Sequence, residues 1–239
     1  MNHKLSIIIP IYNEDKIAAT SLPPIFNLPI EKEVIVVNDG SSDETPQILA
    51  DLASRHEFRL INQPENRGKG AAIQRGLEDI NGDYFIICDA DAEYSDADIA
   101  MMFKEMKKID EGEAKNKDSS AINKKIALYG SRFLNKTGLS FHRSVNVFLT
   151  SLTNLLFGSK LTDMETCFKM IPAAALKEIK LSGERFEIEP IITAQLLKNG
   201  YEIKEVPISY SRRGYQDGKK INPRDGLMAI IALFKQKFN

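Results

Sequence analysis

Glu33-Val34-Ile35-Val36-Val37-Asn38-Asp39-Gly40-Ser41-Ser42-Asp43-Glu44 is the stretch that decides the fold. Glu33–Val37 is a short aliphatic run of strand length without polar alternation, the pattern of a strand covered on both faces. The run stops at Asn38-Asp39-Gly40, three residues that favour turns. Ser41, Ser42 and Asp43 then offer capping oxygens, with Glu44 three residues after Ser41, ahead of a helix over Thr45–Arg55.

The same grammar repeats outward from this unit. Leu5–Ile9, Arg59–Asn62, Tyr84–Cys88 and Ile126–Gly130 are further strand-length runs. Helical stretches lie between them, over Gly70–Ile80 after a glycine-rich turn and over Asp96–Ile109, which opens acidic and closes on Lys107-Lys108. Phe141, Val145, Phe148, Leu152 and Leu155 recur at helical spacing. Glu187–Asn199 reads as a helix ended by Gly200, Tyr201–Tyr210 as a strand and Asp225–Phe238 as a last helix. Alternating β and α elements predict an α/β domain with a mainly parallel central sheet. The polar stretch Glu111–Lys125 has no apolar period and is expected to be a surface loop without chemistry. No linker divides the chain, so a single domain over residues 1–239 is expected.

Composition narrows the function classes. The chain has 239 residues, 43% apolar and 27% charged, which is ordinary for a soluble globular protein and excludes a disordered or fibrous chain. Its net charge is −1, from 32 basic and 33 acidic residues. Nucleic-acid binders show a basic excess, so nucleic acid is not an expected partner. Two cysteines, Cys88 and Cys167, are too few for a disulfide scaffold, and a reducing cytoplasm is the expected setting. The apolar start before Pro10 is too short for a signal-peptide core. The longest uncharged stretch, Ser144–Ser159, falls short of the roughly 20 apolar residues of a membrane span.

In an open parallel sheet, ligands bind beyond the carboxyl ends of the strands. Pro10-Ile11-Tyr12-Asn13-Glu14, Asn38–Asp43 and Asp89-Ala90-Asp91-Ala92-Glu93 each follow a strand, so acids from three strand ends converge on one crevice. Any one of them alone reads more simply as a helix cap; the three together favour a site. Asp89 and Asp91, at i and i+2, suit a hard divalent cation, Mg2+ or Mn2+, with positions left for substrate phosphates. Asn66-Arg67-Gly68-Lys69-Gly70 reads either as a phosphate-cradling turn, with Lys69 beside freed amides, or as a plain turn before a helix. Arg132, Arg143, Arg213, Lys219 and Lys220 are candidate phosphate clamps. His3, His56 and His142 show no metal-ligand spacing.

Pro10–Glu14, Val36–Asp43, Asn66–Gly70 and Asp89-Ala90-Asp91 stand in the order that resembles glycosyltransferase family 2, inverting nucleotide-sugar enzymes of GT-A fold. Asp163-Met164-Glu165-Thr166-Cys167-Phe168-Lys169, Arg185–Glu189 and Arg213 with Gly218-Lys219-Lys220 resemble its dolichyl/polyprenyl-phosphate sugar synthase branch. The likeness runs from about Leu5 to Gly226 and implies a Rossmann-like nucleotide-binding domain. It implies that Pro10, Tyr12, Glu14 and Asp39 contact base and ribose. It also implies that Asp89 and Asp91 hold the cation on the diphosphate, with Glu93 a third contact. Arg213 and Lys219 fall in the family-like segment, and Gly214–Lys220 is a candidate lid over the donor. The implied reaction moves a hexose from a UDP-glucose or GDP-mannose type donor to a polyprenyl phosphate. A sugar hydroxyl in cell-envelope polysaccharide synthesis is the alternative acceptor, for which Asp163 is the candidate base. A nucleotidyltransferase and a non-catalytic nucleotide-sugar binder are the rival classes. The helix faces over Phe141–Leu155 and Leu227–Phe238, the latter with Lys235 and Lys237, are candidates for peripheral membrane contact, core packing or a homodimer.

Overall fold

A computed structural model describes residues 3–115, 125–134, 141–211 and 223–238. Seven strands, β1 (Leu5–Ile11), β2 (Lys32–Asn38), β3 (Arg59–Asn62), β4 (Tyr84–Ile87), β5 (Ile126–Ser131), β6 (Lys169–Pro172) and β7 (Glu202–Pro207), form one sheet. The helices are α1 (Ala18–Phe26), α2 (Thr45–Ala53), α3 (Lys69–Leu77), α4 (Asp96–Lys115), α5 (Phe141–Phe157), α6 (Ile188–Lys198) and α7 (Pro223–Phe238). Strand order is β3-β2-β1-β4-β6-β5-β7. β1 pairs in parallel with β2 and β4, β2 with β3, and β5 with β7. The expected mainly parallel α/β sheet is what the chain forms.

The aliphatic runs of β1, β2, β4 and β5 are buried on both faces, as their lack of alternation requires, whereas β3 at the sheet edge is partly exposed. From β1, Leu5, Ile7, Ile9 and Ile11 enter a core with Leu22 of α1, Leu49 of α2 and Phe103 of α4. Ile8 points the other way, toward Ile73 of α3 and Ile192 of α6. A smaller cluster joins Leu149 of α5 to Ala229 and Leu233 of α7.

Three features depart from the sequence reading. α1 was hidden by Pro23 and Pro24, which lie inside it; each lacks an N–H and argues against a helix. Burial of Ala18, Leu22, Ile25 and Phe26 along one face holds it in place. β6 is too short to stand out and runs antiparallel to both β4 and β5. The loop expected over 111–125 is corrected in part: α4 continues through Lys115, and residues 116–124 lie outside the described ones.

Strand order reverses at β1, with β2 on one side and β4 on the other, which places a crevice at their carboxyl ends. β6 matters here because of its direction. Running against β4 and β5, it starts at the edge where they finish, and so delivers residues 163–168 to the same crevice.

Candidate active site

The turns after β1 and β2 are built as one piece. Ser41 Oγ accepts the Asn13 N–H (3.0 Å), Thr45 Oγ1 accepts that of Glu14 (2.9 Å), and Asp43 Oδ2 that of Asp15 (3.2 Å). In return the Ser42 N–H donates to Asn13 Oδ1 (2.8 Å). The capping box expected from Ser41 and Glu44 is therefore not formed. Ser41 is spent on the β1 turn, and Asp43 Oδ1 caps Thr45 instead (3.0 Å). Pro10 near the end of β1, and Tyr12 and Glu14 on the turn after it, are all partly exposed at the mouth of the crevice.

Asp39 is buried and accepts four hydrogen bonds. They come from Gln63 Nε2 (2.7 Å), Asn66 Nδ2 (3.0 Å), and the N–H groups of Arg67 (2.9 Å) and Gly68 (2.8 Å). Burial raises its pKa, and these donors work against that rise. Of the two readings of Asn66–Gly70, this geometry favours the turn before a helix. The Arg67 and Gly68 amides already serve a carboxylate, and the Ala71 N–H donates to Glu184 O (3.0 Å). Asp39 thus does internally what a phosphate was expected to do. Gly68 has φ +102°, and a Cβ there would lie 2.5 Å from Glu184 O.

Lys69 does not stay free for a phosphate either. Its Nζ lies 2.8 Å from Asp89 Oδ1, 3.0 Å from Asp89 Oδ2 and 2.9 Å from Glu189 Oε1. Glu189 Oε2 receives Lys169, whose Nζ also donates to Thr166 O. Burial alone would lower the Lys69 pKa, but Asp89 and Glu189 outweigh it and hold it well above the ordinary lysine range. Burial pushes Glu189 the other way, and the two lysines overcome it, leaving the carboxyl below its ordinary value. The result is a charge chain, Lys169–Glu189–Lys69–Asp89, running from the interior to the end of β4.

Asp89 retains 26% side-chain exposure, and Asp91 is partly exposed two residues on. A carboxylate offers about four lone-pair sites, so Lys69 leaves acceptor capacity on Asp89. Two hard oxygen ligands at a strand end fit Mg2+ or Mn2+, which keep positions for water and phosphate. Glu93, the expected third contact, bonds to an aromatic hydroxyl. Its Oε2 accepts the Tyr210 hydroxyl (2.6 Å), and among the described residues no three acids gather into a metal cluster.

Arg132 and Asp163 are bonded to each other. Arg132 Nε and Nη2 donate to Asp163 Oδ2 and Oδ1, both at 2.7 Å, and its N–H donates to Oδ2 (2.9 Å). Asp163, the candidate base, is fully buried, with both oxygens committed to a guanidinium. Arg132 is held by this fork with its guanidinium carbon 5.3 Å from the Tyr210 ring centroid. It borders the Asp91–Glu93 turn rather than reaching outward as an unattached clamp. Arg213, Lys219, Lys220 and the lid expected over Gly214–Lys220 lie outside the described residues, as does the side chain of Arg143.

The profile of Glycosyl transferase family 2 matches residues 6–179. The chain belongs to this family. Among its relatives is a dolichyl-phosphate beta-glucosyltransferase of Trichomonas vaginalis, 27% identical, with 87% of this chain and 64% of that protein covered. A protein of the same description from Saccharomyces cerevisiae is 27% identical, over 91% of this chain and 69% of its own length. The chain thus spans under two thirds of the first relative. Glucosyl-3-phosphoglycerate synthase of Mycobacterium tuberculosis, crystallised with Mn2+, UDP and phosphoglyceric acid, superposes with a TM-score of 0.71. It is 14% identical, with 99% of this chain and 79% of that chain covered. This likeness shows the GT-A fold.

In this family 2 chain, sequence reading passed over Glu189, Lys169, Glu165 and Tyr210 as site residues. A signal was there for two of them. Glu189 sits in Ile188-Glu189-Pro190-Ile191-Ile192 and Lys169 in Phe168-Lys169-Met170-Ile171, single charges inside apolar runs. Such charges are rarely buried unless paired.

Proposed function

We propose that this chain is an inverting hexosyltransferase that moves the sugar of a nucleotide-sugar donor onto a polyprenyl or dolichyl phosphate. One observation carries the reading: Asp89 and Asp91 lie at the end of β4, in the crevice where the interlocked β1 and β2 turns also end. The dolichyl-phosphate glucosyltransferases among its relatives support the acceptor class.

Asp89 and Asp91 would hold a divalent cation, which supplies positive charge to the departing diphosphate. Lys69, Glu189 and Lys169 keep Asp89 in place without a search through rotamers, since each is ion-paired and Glu189 and Lys169 are buried. Asp163 fixes Arg132 by a two-point fork, so its cationic plane is set beside the leaving-group side of the crevice before substrate arrives. A preset charge of this kind stabilises developing anions with little reorganisation.

The test uses UDP-glucose or GDP-mannose, Mn2+ and a polyprenyl phosphate, with a charged glycolipid as the expected product. Asp91→Asn should lower that transfer by about 100-fold or more while the thermal melt stays unchanged. Transfer at the wild-type rate by Asp91→Asn would refute the metal assignment. Product on a sugar acceptor but on no lipid phosphate would replace the acceptor. Pyrophosphate release instead of a nucleoside diphosphate would replace the reaction.

A further inference from the structure

The carboxylates around the crevice are paired almost throughout. Asp39 has four donors, Asp163 has Arg132, Asp89 and Glu189 have lysines, and Glu205 accepts the Thr162 and Asp163 amides. Glu165 differs. Its Oε1 is sealed from solvent and has no hydrogen-bond partner. The residue sits in the segment that β6 brings to the strand-end edge, and that segment is tied to the Asp91 turn through the Cys167 N–H and Tyr94 Oη (3.4 Å).

Four charged groups face it: Lys169 from β6, Glu189 from α6, Arg132 after β5, and Asp163 from its own segment. Burial pushes its pKa up to about 7, Glu189 and Asp163 add to that, and Lys169 and Arg132 pull against it. Near neutrality the carboxyl is thus divided between its two forms. That is where a group exchanging protons in a reaction works best.

We infer that Glu165 is the proton acceptor of the transfer, holding one proton jointly with the phosphate of the lipid acceptor. This rests on the lipid-phosphate reading above. A phosphate monoester gives up its second proton near pH 6. Entering as the monoanion beside ionised Glu165, it passes that proton across: the phosphate O–H bond breaks and a Glu165 O–H bond forms. The charge of the pair stays the same, and the dianion is generated facing a neutral carboxylic acid instead of a carboxylate. The freed phosphate oxygen then bonds to the sugar C1. The C1–O bond to the diphosphate breaks, and its electron pair departs on the nucleoside diphosphate. The proton then leaves to solvent by the less enclosed side of the carboxyl, since Glu165 as a whole is only partly buried.

The experiment is a pH profile of kcat for transfer from UDP-glucose to polyprenyl phosphate, for the wild-type protein, Glu165→Gln and Glu165→Asp. One shared proton predicts a bell for the wild type, falling at low pH where both groups are protonated and at high pH where neither is. Glu165→Gln, fixed in a neutral form, should lose the high-pH fall and rise through about pH 6, where the phosphate ionises, to a plateau, with its melt and UDP-glucose affinity retained. Glu165→Asp, an acid set further back, should keep the bell. A Glu165→Gln protein that keeps the full bell, its high-pH fall included, overturns the inference and leaves lipid-phosphate transfer standing. A wild-type protein that glycosylates no lipid phosphate overturns the reading beneath it.

Discussion

Glu189 shows what one buried charge does for this site. It bridges Lys69 and Lys169, and removing its charge leaves two ammonium groups facing each other across a dry interior. Glu189→Gln is expected to cost about 3–5 kcal/mol, the range for a buried pair that loses one partner. Urea unfolding at pH 7 measures it. The sign of the pH dependence follows from the same pairing. Glu189 is held below its ordinary value, so its stabilisation is complete above that value and lost as pH falls through the depressed one. The gap between wild type and Glu189→Gln should therefore narrow on acidification. A gap that widens instead would show that the lysines do not depend on it.

At the scale of elements, the N-terminus of α3 is wedged between Asp39 and the 183–185 segment. The Ala71 N–H donates to Glu184 O (3.0 Å) and Gln74 Nε2 to Gly183 O (2.7 Å), so α3 and the approach to α6 move as one body. Gly68 is the joint. Its φ of +102° disfavours any side chain, and an added Cβ meets the Glu184 carbonyl at 2.5 Å. Gly68→Ala should cost at least about 2 kcal/mol and weaken donor binding with it, because Lys69 rides on the next residue. Calorimetric melts and nucleotide-sugar titration test the two effects together. Lost stability with unchanged donor affinity would show that the turn serves the fold alone.

Across the whole molecule, apolar exposure gathers on α5 and α7. Phe148 is 57% exposed, Leu155 81%, Leu227 58% and Phe238 76%. The two helices pack together through Leu149, Ala229 and Leu233, so their outward faces are neighbours. Lys235 and Lys237 lie in the last turn of α7. Among the described residues no helix is long and apolar enough to cross a membrane. We propose that this face lies on an anionic bilayer, a position that suits a lipid-borne acceptor. The wild-type protein should sediment with vesicles containing phosphatidylserine, less so as salt rises. The double variant Leu227→Ser, Phe238→Ser should stay in the supernatant. A concentration-dependent dimer lost in that variant, with no vesicle binding by either protein, would assign the face to a second copy.

The alternation of aliphatic runs with helical stretches was legible without any coordinates, because strands buried on both faces admit only apolar side chains. The acids at three strand ends were equally legible, because residues leaving a parallel sheet meet at one edge. What those side chains are bonded to was not. That Asp39 satisfies the turn expected to hold phosphate, that Arg132 is clamped on Asp163 and that Glu93 serves Tyr210 depend on partners 28, 31 and 117 residues away. Local pattern carries no information about such pairs. β6 belongs with them: four residues long and antiparallel to both neighbours, it is defined by the strands beside it. Its direction alone brings Glu165 to the crevice. Local chemistry therefore determined the elements and the edge at which they act, while long-range packing decided which charges are already neutralised there and which acid is left without a partner.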